Sequence, residues 1–242
     1  MKRSLLIAFL SVVAIGPRLA AQAPRSATEF DPGFGLGVEL SRRVRLDFFS
    51  GREKSDDLGS AKWKGSAGIS FRMKSVFPRF LDALDSDKSH ALVVGATYEY
   101  SRASDSGGKT IEHKVMADGT ARYAFAEKLL AANRVRFEFR WVNGEFRFRF
   151  RDRLTLERVF KVRSFEFTPY AGVEAFWDAH AHRQQPHLAR WNQFRYTAGT
   201  TIPIYRRMFV DIYYERAHCT TCSTLNTNIL GASLNIFVKR RK

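Results

Sequence analysis

Apolar and polar residues alternate one by one along most of this chain, most strictly over residues 134–157, RVRFEFRWVNGEFRFRFRDRLTLE. Val135, Phe137, Phe139 and Trp141 occupy every second position, with Arg136, Glu138 and Arg140 between them. After Asn143-Gly144 the alternation resumes as Phe146, Phe148 and Phe150 against Arg147, Arg149 and Arg151. A period of two marks a strand, because successive side chains point to opposite faces. Asn-Gly between two such runs predicts a two-residue hairpin turn, since both turn positions need positive φ. That register sets Trp141 opposite Phe146, Phe139 opposite Phe148 and Phe137 opposite Phe150. It also sets Arg140 opposite Arg147 and Arg136 opposite Arg151. Opposed like charges destabilise a sheet unless something neutralises them, so this face needs acids from other strands, anions or water.

The same alternation recurs in Phe34–Leu40, Val44–Phe48, Trp63–Met73, Leu92–Tyr100 and Val115–Phe125 before the hairpin. It recurs after it in Phe165–Trp177, Phe194–Ile202, Met208–Tyr214 and Leu230–Val238, which makes eleven segments in all. Residues 74–89 are irregular, with room for a helical turn over 77–84. No amphipathic helix is long enough to cover the aromatic faces. The pattern therefore predicts an all-β fold, a closed antiparallel up-and-down transmembrane β-barrel with its apolar face against lipid and its polar face inward. Single-chain bacterial barrels have an even number of strands. The expectation is thus about twelve, the extra strand coming from residues 24–33, or ten if the first hairpin is a plug or one bent strand.

Composition changes this picture little. Mean hydropathy is −0.30, a soluble-looking average that a barrel also gives, because half of each strand is polar. The 21 phenylalanines suit membrane girdles, and the formal charge of +16 is strongly basic. Residues 1–23 read as a secretory signal peptide: Lys2-Arg3, an apolar stretch from Leu5 to Ile15, then Ala21-Gln22-Ala23, with cleavage within 21–23. The expected organisation is a signal at 1–23, an N-terminal segment at 24–33, the barrel at 34–238 and a basic tail at 239–242. The expected location is the bacterial outer membrane. Expected partners are outer-membrane lipid, the barrel-assembly machinery during insertion and small anionic solutes, with no nucleic acid.

The run RVRFEFR at 134–140, FRFRFRDRLTLE at 146–157, the aromatic-rich strand carrying Glu174 and then Arg195 together resemble the domain-of-unknown-function family numbered 2490. Its members are predicted bacterial outer-membrane β-barrels. The resemblance implies a barrel of modest size with no assigned activity, and it supplies no catalytic residues. The tail departs from the usual aromatic ending of such barrels, since Phe237 is followed by Val238 and then four basic residues.

The inner face is the first candidate site. It gathers Arg134, Arg136, Arg140, Arg147, Arg149, Arg151, Arg153 and Arg195. The acids expected to face them are Glu138, Glu157, Glu166, Glu174, Asp211 and Glu215. Such a lumen is either packed with Arg–carboxylate pairs that stiffen a small barrel or an electropositive passage for anionic solutes. Cys219 and Cys222 are the second candidate. In an exported chain a close pair reads as a disulfide. A zinc site with His218, His180 and His182 is the lesser alternative, because a lone CxxC is weak. No metal or cofactor motif stands out beyond this, and none is expected. Neither His113, which faces lipid by parity, nor His90 lies in a nucleophile–base motif. The reading is therefore a structural barrel or narrow anion passage without enzymatic activity. The alternatives are a barrel enzyme acting on lipid and a soluble nucleic-acid-binding β protein, since alternating Arg and Phe can hold phosphates and stack bases.

Overall fold

The computed structural model describes residues 26–55, 59–73, 90–105, 108–126, 129–163, 165–180, 190–205, 207–219 and 226–239. The signal peptide expected at 1–23, the turn expected over 77–84, His182, Cys222 and the last three residues lie outside this set. The described residues form strands and turns, with no helix among them. In chain order the strands are β1 (Ser26–Glu39), β2 (Val44–Ser55), β3 (Ser60–Arg72), β4 (Leu92–Asp105), β5 (Gly108–Ala126) and β6 (Leu129–Val142). They continue as β7 (Glu145–Arg158), β8 (Phe160–Val162), β9 (Phe165–His180), β10 (Arg190–Tyr205), β11 (Met208–Cys219) and β12 (Asn226–Lys239).

Each wall strand pairs with its neighbour in sequence, β7 with β9, and β1 closes on β12. The wall thus holds eleven strands, and the short β8 pairs with β9 outside the ring. The eleven alternating segments of the sequence are these eleven strands. Residues 26–33 add no separate strand, because β1 runs unbroken from Ser26 through them. An odd number of up-and-down strands leaves the first and last pointing the same way. The seam between β1 and β12 is accordingly parallel, from Ser26↔Asn226 to Glu39↔Lys239, while every other wall pairing is antiparallel.

The central hairpin forms as its sequence dictates. Asn143 and Gly144 have φ of 50° and 87°, and Trp141↔Phe146, Phe139↔Phe148, Phe137↔Phe150, Arg140↔Arg147 and Arg136↔Arg151 are direct pairs. The aromatic side chains point outward and no second layer covers them among the described residues. Phe137, Phe139, Trp141 and Phe146 are all exposed. The outward face is apolar over most of the wall height. Tyr123, Phe125, Phe165 and Tyr205 crowd one end, while Trp63, Tyr100, His113 and Trp141 mark the other. An outward apolar band between aromatic girdles is the surface a bilayer solvates.

The two ends differ. At the first end lie the Asn143-Gly144 turn, Gly59, the starts of β1 and β12 and the ends of β2, β9 and β11. At the second end lie residues 40–43 and 159–163, the start of β4 and the ends of β3 and β12.

Candidate lumen site

Alternation sends the charged residues inward, and neighbouring strands neutralise the opposed arginines of the hairpin. Glu174 on β9 is 1% exposed and accepts from Arg134 (3.2 Å), Arg151 (2.9 Å) and Arg153 (2.7 Å). Arg151 also donates to Glu138 at 2.7 Å, so it bridges two buried carboxylates. Arg136 donates to Asp118 at 3.1 Å, Arg140 to Glu112, and Arg149 to both oxygens of Asp178. Arg147 pairs with Glu145 at the rim. Further round the wall Arg195 on β10 meets Glu215 at 3.0 Å, Lys64 on β3 lies between Asp31 (2.9 Å) and Glu53 (2.8 Å), and Tyr170, on the same strand as Glu174, donates to Asp211 at 2.9 Å. Arg149–Asp178 and Arg151–Glu174 are bidentate, which makes them strong and directional.

One buried ring organises this layer. Phe176 is fully buried, and the guanidinium carbons of Arg149, Arg151 and Arg195 lie 5.4, 4.6 and 4.8 Å from its centre. Cations over a desolvated aromatic face are attracted by its quadrupole. Phe176 was not a candidate from sequence. The signal for it was the doublet Phe176-Trp177, because two successive aromatics in a strand must point to opposite faces. Phe49 and Phe209 also point inward, each behind an outward apolar neighbour.

Among the described residues the lumen holds a larger and a smaller cavity. The larger, about 560 Å³, occupies the half of the lumen toward the second end; Arg45, Arg122, Arg134, Arg136 and Arg153 line it with Asp47, Asp118, Glu157 and Asp211. The smaller, about 300 Å³, lies toward the first end against β1–β3 and β10–β12. Lys64, Arg153 and Arg195 line it with Glu29, Asp31, Glu53, Asp211 and Glu215. Both cavities share Phe49, Arg153, Tyr170 and Asp211 in their walls, which places these four at the neck between them. The expectation of a strongly basic interior is thus corrected for the smaller cavity, where acids outnumber bases. Beside the larger cavity, Leu130, Val159 and Phe209 form a buried apolar cluster joined by Ala124 and Phe237. It spans from β5–β7 to β11–β12 and crosses the lumen near the second end.

The larger cavity also holds unmatched donors. Nη1 of Arg122 and Nε of Arg134, Arg136 and Arg153 are buried without a hydrogen-bond partner, and Arg122 has no ion pair among the described residues. A buried donor left unmade costs about 1–3 kcal/mol. The structure therefore presents convergent, unsatisfied N–H groups to whatever fills this space.

Some sequence candidates fall elsewhere. Glu166 lies in the β8–β9 extension, past the last β7–β9 pair at Glu157↔Tyr170, and lines neither cavity. Asp118 and Asp178, absent from the candidates, are ion-pair partners; Asp178 lies near the end of β9. Cys219 is disulfide-bonded, and Cys222 lies outside the described residues. His218 points outward to Asn226 at 3.0 Å, whereas the adjacent Cys219 is buried on the inner face. His218 and Cys219 therefore lie on opposite sides of the wall. His182 and the side chain of His180 lie outside the described set.

An apolar, lipid-type exterior around a salt-bridged polar lumen defines a β-barrel of the outer-membrane type. Residues 29–224 match the family model described as protein of unknown function, DUF2490, and the chain belongs to that family. No curated protein sequence matches the chain. Among solved structures it is similar to LpxR from Salmonella typhimurium, with 9% identity, a TM-score of 0.51, and coverage of 80% of this chain and 83% of that one. This likeness corrects the expectation of a barrel without enzymatic activity. LpxR is an outer-membrane enzyme, so a barrel of this shape is a scaffold on which catalysis occurs, and the lack of a Ser/His motif here is no ground for excluding it. At this identity the likeness concerns the fold and assigns no reacting residue.

Proposed function

We propose that this chain is an exported barrel of the bacterial outer membrane whose lumen is a narrow passage for small anionic solutes. The observation that carries the reading is the larger cavity, where arginine N–H groups converge unpartnered on about 560 Å³ of space. Arg/Lys-lined constrictions favour anions. The ion-paired layer around Phe176 fills one side of the lumen, so solutes cross the acid-rich smaller cavity and the neck at Tyr170 and Asp211, and selection for anions falls to the arginine-lined larger cavity. The exported location rests on the lipid-type exterior and on the signal-like residues 1–23. The nucleic-acid alternative is disfavoured because the alternating Phe and Arg of the β6–β7 hairpin lie on opposite sides of the wall. Planar-bilayer recordings of the purified barrel under a salt gradient test the proposal. Reversal potentials are expected to show anion preference. Cation preference, or a barrel electrically silent under all voltages, overturns it, and silence would leave the packed lumen as a structural core.

A further inference from the structure

The outward face of β2–β5 changes character in rows toward the first end. Phe48, Ala67, Tyr98 and Val115 are cross-strand neighbours in one row. The next row up is Ser50, Gly65, Tyr100 and His113, and above it come Arg52, Trp63, Arg102 and Ile111. Lys109 stands one row higher still. The face thus passes from apolar, through aromatic and amphipathic, to cationic within a few residues.

The middle rows are a built platform. Trp63 and Tyr100 lie 6.0 Å apart between ring centres, and Tyr100 and His113 5.3 Å. The Tyr98 hydroxyl is hydrogen-bonded to Nδ1 of His113 at 2.7 Å. Gly65 lets the indole of Trp63 lie flat along the wall toward the apolar band, since a Cβ there would come within 2.9 Å of the ring. Arg52 and Arg102 flank Trp63 on either side, and both are exposed, as is Lys109. None of these three cations has an ion pair among the described residues, and no described carboxylate shares this outward face. Glu53, Glu99 and Glu112, the nearest acids in sequence, point inward to Lys64, Lys114 and Arg140.

We infer that this patch binds the phosphate-bearing headgroup of a membrane lipid in the leaflet at the first end. Arg52, Arg102 and Lys109 meet the phosphate oxygens, the aromatic platform carries the headgroup and glycerol or sugar region, and the acyl chains lie on the rows of Tyr98 and Val115. The argument is charge complementarity continuous with an apolar band. Long basic side chains reach up from a membrane surface to the polar layer, aromatic rings settle at the interface, and basic groups there attract anionic lipid. The assignment does not depend on an open lumen.

The test is native mass spectrometry of the full-length barrel released from neutral detergent. Dioleoylphosphatidic acid, dioleoylglycerol and inorganic phosphate are added in separate arms. Wild type is expected to retain phosphatidic acid and not dioleoylglycerol, and millimolar inorganic phosphate is expected to leave that retention intact. The double variant Arg52→Gln/Arg102→Gln is expected to bind phosphatidic acid about tenfold more weakly or worse. Arg158→Gln, an outward cation at the other end, is expected to bind as wild type does. Heat-modified gel mobility shows that each variant is folded. Equal retention by the double variant, equal loss in Arg158→Gln, retention of dioleoylglycerol, or displacement by inorganic phosphate overturns the inference.

Discussion

Tyr213 on β11 reaches across β12 and donates its phenolic hydrogen to Oδ2 of Asp31 on β1, 2.8 Å away. The contact ties together strands on both sides of the parallel seam. It exists because Gly231 lies beneath the ring; a Cβ on Gly231 would run into the Tyr213 phenol. Tyr213→Phe keeps the ring and removes the donor, and it is expected to cost about 1.5–3 kcal/mol, the range for hydrogen bonds to charged groups. Gly231→Ala lifts the whole ring and is expected to cost at least as much, by overpacking and loss of the bond together. Urea unfolding midpoints in lipid vesicles measure both. Wild-type midpoints in the two variants would show that the seam is not held in this way.

Glu174 is the node of the packed layer. Removing its charge leaves Arg134, Arg151 and Arg153 facing one another with only Glu138, held by Arg151, and Glu215, 3.8 Å from Arg153, as buried carboxylate partners among the described residues. Breaking one partner out of a buried ionic network costs about 3–5 kcal/mol, and Glu174→Gln is expected to fall in that range. Arg151→Gln alone is expected to be similarly damaging, because it strands Glu138 and removes one of the three cations on Glu174. The double variant should cost less than the sum, with a coupling of about 0.5–3 kcal/mol. Strict additivity in a double-mutant cycle would mean that the pair does not act as a unit.

The wall was legible in the sequence because period-two alternation specifies a face at each residue. The hairpin register followed from Asn143-Gly144 alone, and the inward arginines followed from the register. What alternation cannot show is which strands meet across a seam, because the closing pair β1–β12 is the most distant in sequence. The seam parity was also obscured by applying the even-number habit of bacterial barrels to eleven countable segments. β8 escaped notice because three residues are too few to display a period. The lumen was half legible. Arg134, Arg151 and Glu174 were foreseen as inward, but their pairing depends on side-chain reach. Phe176 breaks the one-by-one alternation, and Asp178 sits where the apolar run of β9 gives way to polar residues.

Asp152 is the same kind of pattern break on the other face. It follows Phe146, Phe148 and Phe150 in outward phase, and it accepts a hydrogen bond from Asn133 on β6 at 2.6 Å. Its outward neighbours are apolar: Val135 and Ala175 across strands and Leu154 along its own. A polar group facing lipid is tolerable when paired and costly when alone. Asn133→Leu is therefore expected to destabilise the barrel by about 1–3 kcal/mol, the cost of a stranded partner. Asn133→Leu/Asp152→Leu, which removes both, is expected to be neutral or stabilising. The comparison is read from folding midpoints in vesicles. A double variant less stable than Asn133→Leu would show that the pair contributes more than mutual satisfaction.

The apolar cluster at the second end bears on transport directly. Leu130 on β6 and Phe209 on β11 meet across the lumen with Val159, so the larger cavity is bolted on that side by side chains that repel water. Hydrophobic constrictions close pores by dewetting. Phe209→Ala removes most of the bolt and is expected to raise single-channel conductance severalfold over wild type. It should also cost about 3–5 kcal/mol of stability, the usual range for truncating a buried phenylalanine. Combining it with Arg122→Glu, which reverses the charge of the cation without an ion pair in that cavity, separates size from selectivity. The combined variant should keep the larger conductance and lose anion preference, as read from the reversal potential in a salt gradient. Unchanged conductance in Phe209→Ala would mean that the cluster is packing and not a gate. Unchanged selectivity on adding Arg122→Glu would mean that ions do not pass by that wall of the cavity.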